Sequence, residues 1–271
     1  MFSSSAVPVG PLQLLLYGSI GRSQVALALV LSVATALLVV AAARVVGVKS
    51  PVLLGGVGLA AVVTGLTGVG YGVGHPADPL LPLIWILAAH EARRGHAWRA
   101  GLIIGLCAGL ETWGILGVAV LALAPRLRDA AVGVGIAAVT ALALFLPFML
   151  GGHFAMLSFE WHVLSPSPMS LFVAAGTPFG WPLRLVQATV AVALGATAAR
   201  LLRNSPHALW AAPLAIVAAR LQFDPDLYQY YLAVPQGPIL VGAAAGVARL
   251  IWVRSPRREP AEPAEPAAAR G

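Results

Sequence analysis

Apolar residues in this chain arrive in blocks as long as a bilayer is thick, and no other feature constrains its fold as much. Val25–Ala43 runs nineteen residues without a charge, and Ala130–Leu150 runs twenty-one. At about 1.5 Å per helical residue, about twenty residues cross the ~30 Å hydrocarbon core. Further apolar blocks lie at Pro51–Val69, Leu80–His90, Ala100–Ala124, Pro182–Leu202, His207–Leu221 and Leu227–Trp252. Apolar residues make up 59% of the chain and charged ones 10%, against ~45–50% and ~25% in soluble domains. A soluble enzyme, a disordered chain and a nucleic-acid-binding domain are thereby excluded. The expected fold class is all-α, a polytopic transmembrane bundle of about seven to nine segments. Residues 1–252 read as one transmembrane domain, and the Pro/Ala-rich stretch 253–271 reads as a disordered cytoplasmic tail.

The net charge of +7 reports orientation. Of 17 basic residues, 16 are arginine and Lys49 is the only lysine. They cluster between apolar blocks, as in cytoplasmic loops, rather than on one soluble face that nucleic acid would need. With the Arg44/Lys49 loop inside, alternating spans put Arg93, Arg94, Arg99, Arg126, Arg128, Arg200, Arg203, Arg249, Arg254, Arg257, Arg258 and Arg270 inside as well, 14 of the 17 in all. The chain is therefore expected to be a multi-pass protein of the plasma membrane with its C-terminus in the cytoplasm. The single cysteine, Cys107, allows no internal disulfide. The opening MFSSSAVPVGP lacks the basic region of a cleavable signal peptide.

One block resists alternation. Ala100–Ala124 has basic clusters at both ends, yet twenty-five residues are too few to cross the ~30 Å core twice. The spacing predicts a broken or re-entrant helix pair with its break at Glu111–Gly114, which sets a carboxylate at membrane depth. Non-helical backbone is tolerated there only inside protein or beside a wet cavity. An intramembrane carboxylate points to a functional site, and a neutral hydrogen-bonded structural role is the alternative.

The same topology collects the unusual polar residues outside: His75 and Asp78 in GHPADP; His153, Glu160 and His162; and Asp224, Asp226, Tyr228, Tyr230 and Tyr231. Arg184 and Arg220 join them, and a cation placed there needs an anion, for which a lipid phosphate is the nearest plentiful candidate. Each has a plainer alternative. Asp78 suits the N-cap of the following helix. Glu160 and His162 suit a solvated loop pair, and the spacing of His153, Glu160 and His162 is too loose for zinc. Asp224 and Asp226 suit caps of the last helix, with the tyrosines as an interfacial belt.

The segments VGPLQLLLYG, GHPADPLLPL, WRAGLIIGLCAGLETWGILGVAVLAL and RLQFDPDLYQYYLA follow one another in this order. In that order and spacing the chain, over roughly residues 8–252, resembles the polytopic GT-C glycosyltransferases, especially the mannosyltransferase-like membrane proteins of actinobacteria. The resemblance implies transfer of a mannose-like sugar from a polyprenyl-phosphate donor to an envelope glycan or glycolipid at the outer face. It implies Asp78 and His75 as catalytic residues, with Asp78 as base or ligand to a divalent cation. It further implies Arg184 and Arg220 at the phosphate, and Glu160 and His162 at the acceptor, with Glu111, Asp224 and Tyr228 also substrate-binding. The chain departs from the pattern in two places. Relatives carry a first span and an acidic outer loop ahead of the point where VGPLQ stands, and often a lysine where this chain has Glu111. Two other readings are compatible with the residues: a secondary transporter or lipid flippase, for which Glu111 at a helix break speaks, and a non-catalytic membrane scaffold.

Overall fold

A computed structural model of the chain describes residues 10–20, 23–64, 66, 77–151, 161–226 and 229–254. The helices are α1 (Pro11–Ile20), α2 (Gln24–Val46), α3 (Pro51–Val63), α4 (Leu81–Arg93), α5 (Ala97–Leu110), α6 (Leu127–Leu150), α7 (Trp181–Leu201), α8 (Ala208–Gln222) and α9 (Gln236–Arg254). A 3-10 helix over Thr112–Leu123 stands between α5 and α6. Among the described residues the strand content is one two-residue ladder, β1 (Trp161–His162) antiparallel to β2 (Pro178–Phe179), with Trp161 opposite Phe179. The fold is all-α, as expected. Among the described residues, four helical stretches are long and apolar enough to cross a membrane: Val25–Val46, Leu127–Leu150, Trp181–Leu201 and Tyr231–Val253.

Local chemistry sets the boundaries. Ser23 caps α2 by accepting the Ala26 N–H, and Gly47 closes that helix at φ 111°, where a side chain would be strained. Ser50 caps α3 ahead of Pro51, whose missing N–H costs nothing in a first turn. Outward-facing Leu29, Leu37, Leu142, Leu185 and Leu250 are exposed along α2, α6, α7 and α9, and apolar surface on this scale belongs against lipid.

Two expectations change. The last block, whose candidate span is Tyr231–Val253, is not α-helical from its start: a 3-10 turn over Gln229–Ala233 precedes α9, which starts at Gln236 just after Pro235. Proline has no N–H for a helix interior, so the α-helix starts beyond it. The helix α1, in turn, has no counterpart among the expected spans, because ten residues are too few to read as one.

The awkward block resolves into a hairpin. The chain breaks at Glu111, which is extended at φ −140°, ψ 137°, and the 3-10 helix then runs back beside α5. A Cβ on Gly114 would lie 2.3 Å from the Cys107 carbonyl oxygen, and one on Gly133 would lie 2.8 Å from both Ala97 O and a Leu121 methyl. The two arms therefore stay paired from the turn to their far ends. Three residues per turn stack Gly114, Gly117, Val120 and Leu123 in one buried row. A rise of ~2.0 Å per residue also stretches the twelve-residue return arm to about 24 Å, where an α-helix would reach about 18 Å. That extra reach lets it match the roughly 21 Å of α5. The return arm packs against α4, α5, α6, α7 and α8, so it forms the axis of the bundle.

The two ends of the bundle differ. At one, Arg93 Nη1 donates to the Ser205 carbonyl at 2.9 Å, tying the turn after α4 to the turn after α7. Glu91 holds His96 and Arg99 at the same end, at 3.1 and 3.7 Å. At the other end the Glu111 break meets the start of α4, the start of α7 and the end of α8.

Candidate functional site

Asp78 sits in the turn Ala77–Leu80 and is 2% exposed. The N-cap of α4 is Leu80, which makes no side-chain bond, so Asp78 does not hold that position. Instead, Asp78 Oδ1 accepts the indole N–H of Trp113 at 2.8 Å. Trp113 is held in turn by the edge of Trp85, with ring centroids 5.3 Å apart at 88°. Trp85 Nε1 donates to the Gly114 carbonyl at 3.1 Å, across a backbone that Gly117 lets come close. The helix break thus does two things: it leaves Glu111 buried at 2% exposure, and it aims Trp113 at Asp78.

Arg220, in the last turn of α8, lies with its guanidinium carbon 4.4 Å from the centroid of the Trp113 ring and 5.2 Å from that of Tyr231. Desolvated stacking of this kind is worth about 2 kcal/mol. Its Nη1 stands 3.5 Å from Asp224 Oδ2, within ion-pair range but outside hydrogen-bond geometry, so this buried N–H finds no acceptor. Leaving such a donor unpaired costs about 1–3 kcal/mol. Gln187 of α7 donates to the carbonyls of Arg220 and Phe223 at 3.0 and 3.1 Å, which fixes the end of α8. Asp224 Oδ1 accepts the Asp226 N–H at 3.4 Å, a local turn rather than a cap of α9. Burial pushes the Asp224 carboxyl up to about 6 against the opposing pull of Arg220 and of the Asp226 N–H, and the charges of Asp78 and Asp226 add to the rise. Arg184, in the first turn of α7, donates from Nε to the Phe179 carbonyl at 3.2 Å and leans over Trp181.

These groups line one cavity of about 620 Å³. Its polar side carries the carboxylates of Asp78, Glu111, Asp224 and Asp226 and the guanidiniums of Arg184 and Arg220. Leu142, Phe145 and Met149 of α6 face them with Trp161 and Trp181. Apolar walls with a few converging polar groups are the usual form of a small-ligand site. Among the described residues, no group of three His, Cys, Asp or Glu side chains is placed to hold a metal ion.

Asp78, Glu111, Arg184 and the Arg220–Asp224 pair, far apart in the chain, are therefore neighbours around one space. His162 is exposed on β1 and does not line it. His75, Glu160 and Tyr228 lie outside the described residues. Tyr231 is 7% exposed and packs on Arg220, so it serves the site rather than an interfacial belt. Sequence reasoning missed Trp113 and Gln187. The available signal for Trp113 was its place two residues after Glu111 in the break, whereas nothing local distinguishes Gln187.

Comparison of the chain with family models, with curated proteins and with solved structures finds no match.

Proposed function

We propose that the chain is a membrane glycosyltransferase of GT-C type, moving a mannose-like sugar from a polyprenyl-phosphate donor to an envelope glycan or glycolipid at the outer face. The observation that carries this reading is the cavity itself, which sets buried Asp78 and Glu111 beside the guanidiniums of Arg184 and Arg220 within apolar, tryptophan-bearing walls. Such a space suits a ligand with a charged head and an apolar tail. The reading takes seven to nine membrane segments, with α5 and the 3-10 arm dipping in from the basic side and returning. The site then opens on the outer face, opposite the arginine-rich turns and the C-terminus.

In this reading Arg184 and Arg220 hold the donor phosphate. Asp78, oriented by the Trp113 N–H, takes the proton of the acceptor hydroxyl as that oxygen bonds to the anomeric carbon. The bond from that carbon to the phosphate oxygen breaks, and its electron pair leaves on the phosphate, whose charge the guanidiniums stabilise. No step is routed through a divalent cation. Membranes carrying the chain, incubated with labelled polyprenyl-phosphate sugars, test the proposal. Transfer is expected from the wild type and none from Asp78→Asn at equal membrane levels. Failure to transfer from any donor would sink the enzyme reading, and undiminished transfer by Asp78→Asn would remove Asp78 as base.

Glu111 at the helix break favours a second reading, a secondary transporter or lipid flippase. Proteoliposome flux that disappears in Glu111→Gln would establish that reading instead.

A further inference from the structure

Among the described residues, four acidic side chains (Asp78, Glu111, Asp224 and Asp226) and two arginines, Arg184 and Arg220, line the cavity. An anionic ligand adds a further negative charge there, and the carboxylate most affected is the one beside the ligand's own partner. That carboxylate is Asp224. It is 4% exposed and stands 3.5 Å from Arg220 Nη1, close enough to neutralise the guanidinium but without a hydrogen bond from that Nη1; its other oxygen accepts the Asp226 N–H. The aromatic rings of Trp113 and Tyr231 hold Arg220 in place independently of that carboxylate.

We infer that Asp224 is a displaceable counter-ion: it occupies the charge of Arg220 in the empty site, yields it to the ligand's anionic group, and takes up a proton as it does so. Binding of an anion in this cavity is then coupled to binding of one proton. This inference rests on the proposed phosphate role of Arg220. The groups that face Asp224 set the direction of the effect. Burial disfavours the charged carboxylate most; Arg220 from α8 and the Asp226 N–H favour it, and the carboxylates of Asp78 ahead of α4 and of Asp226 in its own turn disfavour it. Once a ligand phosphate shares Arg220, the favourable contribution weakens and a new unfavourable one appears, so the carboxyl binds its proton more tightly than in the empty site. Its midpoint in the empty site is already raised to about 6. Linkage then requires affinity for the anion to be flat below about pH 6 and to fall by up to about tenfold per pH unit above it.

The test uses the full chain in nanodiscs and farnesyl methyl phosphate, a phosphodiester with one negative charge at every pH used. Titration calorimetry at pH 7 in buffers of different ionisation enthalpy reads the protons taken up per ligand. The wild type is expected to take up close to one proton and to lose affinity about tenfold from pH 7 to pH 8. Asp224→Asn is expected to take up none, to bind with the same affinity at both pH values, and to bind more tightly than the wild type at pH 8. Wild-type binding without proton uptake would overturn the coupling while leaving the anion site intact. Proton uptake that persists in Asp224→Asn would overturn its assignment to Asp224, and loss of binding in that variant would overturn the counter-ion role. Absence of wild-type binding at every pH would overturn the anion site itself, and with it the phosphate role of Arg220.

Discussion

Removing Arg220 alone should destabilise the protein far more than removing it together with Asp224. The two charges stand 3.5 Å apart with side chains 12% and 6% exposed. Coulomb's law at that separation, with an effective dielectric of about 20, gives an attraction of about 5 kcal/mol, most of it offset by desolvation. Arg220→Met keeps the apolar stem against Trp113 but deletes the cation, so Asp224 is left buried beside Asp78 and Asp226 with no opposite charge from α8. Breaking a buried pair from one side costs about 3–5 kcal/mol. At neutral pH Asp224→Asn should cost no more than about 1 kcal/mol, because the carboxylate it removes is itself unfavourable in its buried place above about pH 6 and Arg220 keeps its two aromatic faces and the nearby Asp78. In the double variant both charges are gone, and the loss should shrink to about 2 kcal/mol, which gives a coupling of about 2 kcal/mol between the two sites. Reversible unfolding in mixed detergent–SDS micelles, run on all four proteins, supplies the cycle. Losses that simply add, to within about 0.5 kcal/mol, would show that the pair is not electrostatically coupled and would refute the reasoning.

Gly117→Ala should destabilise by about 1–3 kcal/mol, because its Cβ would meet Trp85 Nε1 at 2.4 Å and push on the ring that holds Trp113; an unchanged thermal midpoint in detergent would contradict this. Asp224 also predicts a pH dependence of stability. Its folded value near 6 exceeds an unfolded value of roughly 4, so between those limits the folded state holds a proton that the unfolded state has released. The contribution of this group is therefore complete below about pH 4 and is lost as pH rises towards 6, by about 3 kcal/mol at most. Wild type minus Asp224→Asn isolates that slope in pH-dependent unfolding, and parallel curves would count against it. For orientation, single cysteines at Ser165 and at Arg126 in a Cys107→Ser background should react with an impermeant maleimide from opposite sides of the membrane; labelling of both from one side would reverse or discard the proposed topology.

Much of the fold was legible because a bilayer imposes length and polarity on each segment. The helices α2, α6, α7 and α8 end within a few residues of the expected positions, and the basic clusters at both ends of Ala100–Ala124 called for a break that the structure places at Glu111. The clustering of Asp78, Glu111, Arg184, Arg220 and Asp224 followed from the same rule, since charges that break an apolar pattern must gather where polar partners are. Other features were hidden for an equally physical reason. Thr112–Leu123 is apolar at almost every position, so it shows no period by which a three-residue turn could be told from a 3.6-residue one. Hydropathy likewise reports depth and not direction, because lipid and protein interior are equally apolar.

What the sequence alone determined is a helical membrane bundle, its longest apolar helices, its broken helix and a short list of charged residues that needed company. Tertiary structure decided which company each one keeps. Asp78 meets an indole 35 positions away rather than its own helix, Arg220 lies between two rings, and Asp224 guards a guanidinium instead of capping α9. Those pairings depend on how close two backbones approach, as at Gly114 and Gly117, and on the reach of a 3-10 arm. Both are properties of packed helices that no single segment carries by itself.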